Sequence, residues 1–324
     1  MILGVIFGIA ACMIWGMVYI APLLLPTYDP AVLATCRYVI FGVLSCVLGI
    51  AQLKELRHYR LSDWWQAILL GVIGNIFYYW LLSEAVQHAG APIAGAFTAM
   101  IPILCAIIGN AQAKDPGNHV PWRALIAPLV MIAAGMACLN WTEFAYLVGS
   151  GRVTGMEFWI GVVYAVGSLI VWTWYPLKNA QWLLDNPERS PRAWSTAQGL
   201  ALFPASLLML AFFWWHAPEQ TGLLGETPER FLLICLVLGI VCSWVGIVFW
   251  NLMSQRLPPA LGGQMIIFET IFAVTYAHIW RERLPSALMV AGIGILLIGI
   301  AMALHVFRQA RERAKLAQAS SVAQ

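Results

Sequence analysis

Between Arg230 and Arg256 the chain reads FLLICLVLGIVCSWVGIVFWNLMSQ, residues 231–255, without one Asp, Glu, Lys or Arg. A bilayer's hydrocarbon core takes about 20 consecutive apolar residues as a helix. This stretch is long enough to cross, and its backbone groups are satisfied in lipid only if it is helical. Pro258-Pro259 then punctuates the chain before a second apolar run opens. The same alternation extends in both directions. Apolar runs cover 2–25, 31–53, 64–87, 91–113, 121–141, 156–184, 193–215, 230–256, 259–280 and 285–307. Loops such as Pro26-Thr27-Tyr28-Asp29-Pro30 and Lys114-Asp115-Pro116-Gly117-Asn118 separate them. Ten membrane-spanning helices are the expected architecture: an all-α polytopic membrane protein.

Composition agrees with the local reading. The 324 residues are 61% hydrophobic and 10% charged, with a mean hydropathy of +0.78. Soluble domains carry about 25% charge. A water-soluble enzyme, a nucleic-acid binder and a disordered scaffold are excluded on that ground. The seven cysteines fall in apolar runs without metal-ligand spacing, so they read as small apolar side chains. No cofactor or metal is expected. The start, Met1-Ile2-Leu3-Gly4, lacks a charged leader, so the first helix is expected to be retained.

Basic residues set orientation, because Lys and Arg are kept on the cytoplasmic side. With a cytoplasmic N-terminus, thirteen of them fall inside: Lys54, Arg57, Arg60, Lys114, Arg123, Lys178, Arg189, Arg192, Arg256, Arg308, Arg311, Arg313 and Lys315. Only Arg152, Arg230, Arg281 and Arg283 fall outside. Both termini are therefore expected in the cytoplasm and the chain in the inner (plasma) membrane. The basic segment 308–324 reads as a tail anchored at the interface.

The two halves echo each other. Tyr79-Trp80-Leu81-Leu82 in the third run parallels Phe249-Trp250-Asn251-Leu252 in the eighth. Asp29-Pro30 opens the second run as Ser190-Pro191 opens the seventh. Repeats of five helices must be inverted relative to each other, since five is odd. Inverted repeats are a transporter device with a shared site near the midplane. The expected units are residues 1–149 and 150–307.

The stretch Gly8-Ile9-Ala10-Ala11-Cys12-Met13-Ile14-Trp15-Gly16, the Phe268-Glu269-Thr270 step, and Trp280-Arg281-Glu282-Arg283-Leu284-Pro285 leading into a glycine-rich last run carry a resemblance. The chain resembles the ten-helix EamA-like branch of the drug/metabolite transporter superfamily. It departs where Thr270 stands in place of the usual proline and where the first half lacks a Glu-Arg-Leu loop. The resemblance implies a secondary transporter, usually an exporter of amino acids, other metabolites or toxic compounds. It also implies that the first, third, sixth and eighth helices face a central cavity.

Charge inside hydrocarbon costs roughly 2.5–3.5 kcal/mol at a helix centre, so each instance asks for a reason. Glu269 lies midway along the ninth run and is the first candidate for substrate contact and proton coupling. The plainer alternative is a carboxyl bonded to a neighbouring helix. Arg37 and Glu84 lie at outer depths. Two readings stand: a structural ion pair, or an Arg37 that binds a substrate carboxylate. Deep aromatics Trp15, Tyr19, Tyr79, Trp172 and Trp250 are candidate cavity walls. Asn75, Asn251 and Gln264 are candidates for orienting substrate, or for joining helices. Small residues Gly4 and Gly8 allow close helix packing without deciding between monomer and homodimer. No GxSxG, HExxH or Walker signature is present, so an intramembrane enzyme lacks its chemistry. A non-transporting receptor is the remaining rival. The expected partners are a small-molecule substrate, membrane lipid and protons, and no nucleic acid.

Overall fold

The computed structural model describes residues 1–25, 27–89, 97–98, 100–113, 119–149, 156–216, 223–280, 282, 284 and 286–322. Its helices fall on all ten apolar runs. In chain order they are α1 (Ile2–Gly16), α2 (Pro30–Ala51), α3 (Leu61–Ile68, Leu69–Phe77 and Tyr78–Ala89 in succession) and α4 (Ile101–Ala111). Then come α5 (Trp122–Gly149), α6 (Met156–Asp185) and α7 (Pro191–Trp215). α8 joins Pro228–Val237, Leu238–Val245 and Gly246–Ser254, α9 joins Pro259–Gln264 and Ile267–Trp280, and α10 is Ala287–Val322. Six of these elements are long and apolar enough to cross a membrane, and four more are shorter apolar helices. Among the described residues there is no strand. The chain is an all-α polytopic membrane protein.

Some helices end away from their expected limits. α1 stops at Gly16 and continues as a 3-10 turn, Met17–Tyr19, and a short helix, Ala21–Leu24, that carries a proline near its start. α10 runs past Phe307 to Val322. Its extension is rich in Ala, Arg, Glu and Lys, which favour helix, and Arg308 Nε meets Glu312 Oε1 at 3.0 Å one turn on.

The helices pair α2 with α7, α3 with α6, α4 with α9, α5 with α10, and α1 with both α8 and α9. α3 and α8 share an unusual feature. Each loosens to π-helical hydrogen bonding in its middle, over Leu69–Phe77 and Leu238–Val245. In each, a polar side chain turns back onto a carbonyl five residues earlier. Asn75 Nδ2 donates to Leu70 O at 3.2 Å, and Ser243 Oγ donates to Leu238 O at 3.0 Å. One glycine in each segment lets a neighbouring backbone approach. A Cβ on Gly71 would lie 3.2 Å from Gln198 O of α7, and one on Gly239 would lie 2.9 Å from Arg37 O of α2.

Connections meet at both ends of the bundle. On the face that carries Met1, the connection between α6 and α7 meets that between α2 and α3. Arg189 Nη2 donates to His58 O at 2.9 Å, its guanidinium lies 4.9 Å from the Tyr59 ring centre, and Asp63 Oδ2 is 3.9 Å away. Ser190 N donates to Glu55 Oε1 at 2.8 Å, and Gln255 Nε2 donates to Arg189 O at 3.1 Å. On the opposite face, the connection between α1 and α2 meets that between α7 and α8. Tyr28 OH donates to Leu224 O at 2.9 Å and accepts from Thr227 N at 2.9 Å. Its ring stacks on Phe231 at 4.7 Å.

Candidate functional site

Trp15 ends α1, Trp172 lies in α6 and Trp250 in α8, and the fold brings the three together. Trp15 is 5.1 Å from Trp250 and 6.3 Å from Trp172 between ring centres. Its indole N–H donates to Cys242 O at 2.8 Å, a carbonyl within the π segment of α8. Trp172 stacks on Tyr78 at 4.4 Å and on Tyr175 at 5.1 Å. These two tyrosines complete the aromatic cluster, and the sequence reading missed them. Tyr79 is half-buried at the edge of the same cluster. Tyr19 lies in the 3-10 turn after α1, and its side chain falls outside the described residues.

Beside the aromatics, α9 breaks. Its first piece ends at Gln264, and the backbone tightens to three-residue bonds: Ile266 N to Gly263 O, Phe268 N to Met265 O and Glu269 N to Ile266 O. The interruption exposes the Met265 carbonyl sideways, where Cys12 Sγ of α1 donates to it at 3.1 Å. Gly263 packs on Cys105 of α4, whose thiol faces Thr173 O of α6. Three helices, α1, α4 and α6, therefore converge on α9 around the break. Within the apolar run 259–280, the pair Gly262-Gly263 is the visible sign of such a point.

Gln264 is fully buried, and neither atom of its amide has a hydrogen-bond partner among the described residues. The Trp250 indole N–H and the Thr173 hydroxyl are likewise buried without partners among the described residues. Unsatisfied buried polar groups cost about 1–3 kcal/mol each, and native structures keep them for a reason. Glu269 is buried in the first turn of the resumed helix.

The other candidates make contacts of their own. Asn251 is a helix-joining residue: its Oδ1 accepts from Asn179 Nδ2 at 2.7 Å and its Nδ2 donates to Ser195 Oγ at 2.9 Å. Asn75 serves the π segment of α3. The expected Arg37–Glu84 ion pair is not made among the described residues. Arg37 faces the π segment of α8, where its Nε donates to Ser243 Oγ at 2.9 Å, and its guanidinium lies 5.4 Å from the Tyr38 ring centre. Glu84 instead accepts from Trp80 Nε1 at 3.1 Å and lies 3.5 Å from His88 on its own helix. The small Gly239 lets α2, with Arg37, close on α8. Trp65, Trp214 and Trp215 are exposed near helix ends, as interface anchors are, while Trp141 is exposed within α5, which runs on to Gly149.

Residues 2–141 match the EamA-like transporter family. The inner membrane protein YtfF of Escherichia coli is 31% identical over 309 residues, which is 94% of this chain and 96% of that protein. The chain belongs to the EamA-like transporter family. Membership makes it a membrane transporter in general terms and fits the layout just described. A much shorter relative, the probable 4-amino-4-deoxy-L-arabinose-phosphoundecaprenol flippase subunit ArnE of Salmonella agona, is 29% identical over 105 residues. That match takes in 95% of ArnE but 30% of this EamA-like chain. A solved crystal structure shares the fold with a TM-score of 0.72, covering 94% of this chain and 98% of its own at 16% identity.

Proposed function

We propose that this EamA-like transporter is a secondary active carrier of the inner membrane, exporting a small amphipathic or aromatic solute by alternating access. The observation that carries the reading is the meeting of Trp15, Trp172 and Trp250 beside the broken α9, where the Gln264 amide is buried without a partner among the described residues. Aromatic rings from three helices supply an apolar wall, and a buried amide supplies one acceptor and two donors. A solute that bonds Gln264 there offsets the desolvation of the amide. A discontinuous helix at such a point is a transporter device. Glu269, one turn past the break, is the residue assigned to proton coupling, a carboxyl that protons reach as the cavity opens to each side.

Alternating access rests on two inverted repeats, 1–149 and 150–307, with 308–324 as a cytoplasmic tail and both termini inside. The matched π segments of α3 and α8 support this, with Asn75 and Ser243 in equivalent roles. So does the capping of α2 by Asp29 and of α7 by Ser190. The near-complete match of the short ArnE within part of the chain also fits a repeat-sized unit.

Solute flux into proteoliposomes, across an amino-acid, metabolite and drug panel with and without a pH gradient, tests the reading. Trp172→Ala and Gln264→Ala are expected to lower flux at least about tenfold, the effect of losing roughly 1.4 kcal/mol of recognition. Glu269→Gln is expected to abolish the pH dependence. Absence of flux for every solute under either gradient would return the protein to the receptor reading.

A further inference from the structure

A continuous line of side chains runs from the aromatic cluster to the Met1 face. Trp172 stacks flat on Tyr175, with 3° between the rings. Tyr175 OH donates to Gln198 Oε1 at 3.1 Å. Gln198 Nε2 donates to Asn179 Oδ1 at 3.0 Å, and the Trp194 indole donates to the same oxygen at 2.9 Å. The Trp194 ring stacks on Trp182 at 3.5 Å, and Tyr59 lies against both at 6.1–6.2 Å. Tyr59 is the ring beneath the Arg189 guanidinium.

Tyr175, Asn179, Trp194 and Gln198 are all buried to within 1% exposure or less. In so dry a setting a bond broken singly leaves a group without water to replace it. Each amide has its orientation fixed. Gln198 must present oxygen to Tyr175 and nitrogen to Asn179, and Asn179 must present oxygen to two donors. The network therefore favours two arrangements, intact or rearranged together, over partial ones. It also joins the second half of the chain to Tyr59, in the first.

We propose that Asn179 and Gln198 are positioning residues that couple the Trp172 ring to the Arg189 latch on the Met1 face. The proposal rests on Trp172 belonging to the transport site. A solute settling against Trp172 moves Tyr175, and the Gln198–Asn179 pair carries that shift to Trp194 and Tyr59, the seat of Arg189. Solute occupancy and closure of the Met1 face are thereby linked.

The test is a double-mutant cycle read at the latch. Asn186→Cys, half-buried at the end of α6, reports opening through its rate of reaction with a charged maleimide in purified, lipid-reconstituted protein. Background is set by the protein without that cysteine. Arg189→Gln and Tyr175→Phe are each expected to raise the rate about fivefold, within the usual range of coupling. Together they are expected to give no more than the larger single effect. Gln198→Met, which keeps the volume and removes the bonds, should repeat the result if Tyr175→Phe folds poorly. Tyr28→Phe on the opposite face, combined with Arg189→Gln, should multiply instead. Multiplication for Tyr175 and Arg189 as well, or an unchanged rate in both Tyr175→Phe and Gln198→Met, overturns the coupling. Flux that is absent for every solute overturns the transport reading instead and leaves this cycle interpretable.

Discussion

The two faces of the bundle are closed by related connections with different chemistry. On the Met1 face, Arg189 gathers a carbonyl, a carboxylate and an aromatic ring, while Glu55 and Gln255 hold the backbone on either side of it. On the opposite face, among the described residues, the phenol of Tyr28 does the joining, through hydrogen bonds to Leu224 and Thr227 and a stack on Phe231. The first closure is charged, partly buried and shared among five connections. The second, among the described residues, is neutral and turns on Tyr28. A carrier that alternates between openings does not need equal locks. Under the alternating access proposed above, such an unequal pair would set which face is closed at rest, and among the described residues the Met1 face is held by more bonds.

Arg189→Gln should break this asymmetry most. It removes the charge-assisted bonds of a group 16% exposed, and hydrogen bonds to charged groups contribute about 1.5–3 kcal/mol. After partial solvent screening, a loss of about 1–2 kcal/mol is expected, read as a lowered Tm in detergent. A wild-type Tm in that variant would mean that the latch bears no load. Tyr28→Phe should do less, since the stack on Phe231 survives. Loss of a neutral hydroxyl at about 0.5–1.5 kcal/mol is expected, and equality with the Arg189 variant would remove the asymmetry.

Tyr59 gives the smallest effect and the sharpest distinction between the faces. Burial, and next the nearby Glu55, pushes its phenol well above the ordinary tyrosine value, with Arg189 opposing. The folded state therefore holds this proton more tightly than the unfolded chain. Its contribution to stability is full below about pH 10 and declines above it, through the folded value. Wild-type protein should lose more Tm between pH 9 and 11 than Tyr59→Phe does. Identical slopes would show that the ring beneath Arg189 is solvated.

The sequence reading reached the helices readily and the site only in part. Ten apolar runs are legible because lipid admits few alternatives to a helix. Trp15, Trp172 and Trp250 were readable as deep rings, and they do meet. Tyr175, Asn179, Trp194 and Gln198 went unread, though the i,i+4 spacing of Tyr175–Asn179 and of Trp194–Gln198 was a usable sign of polar stripes on α6 and α7. Arg37 and Glu84 were matched by depth alone, and depth does not say which way a side chain leaves its helix.

That limit marks the boundary between sequence and fold for this protein. Hydrophobicity and charge along the chain determined that it spans a membrane, where each helix lies and which residues are deep, because transfer into lipid acts on each segment separately. Partners were decided only by packing. Gly239 let α2 close on α8, the break after Gln264 opened a carbonyl to Cys12, and the π segments turned Asn75 and Ser243 inward. Those choices depend on which helix faces which, and rotation about a helix axis is fixed by neighbours that a single span does not contain.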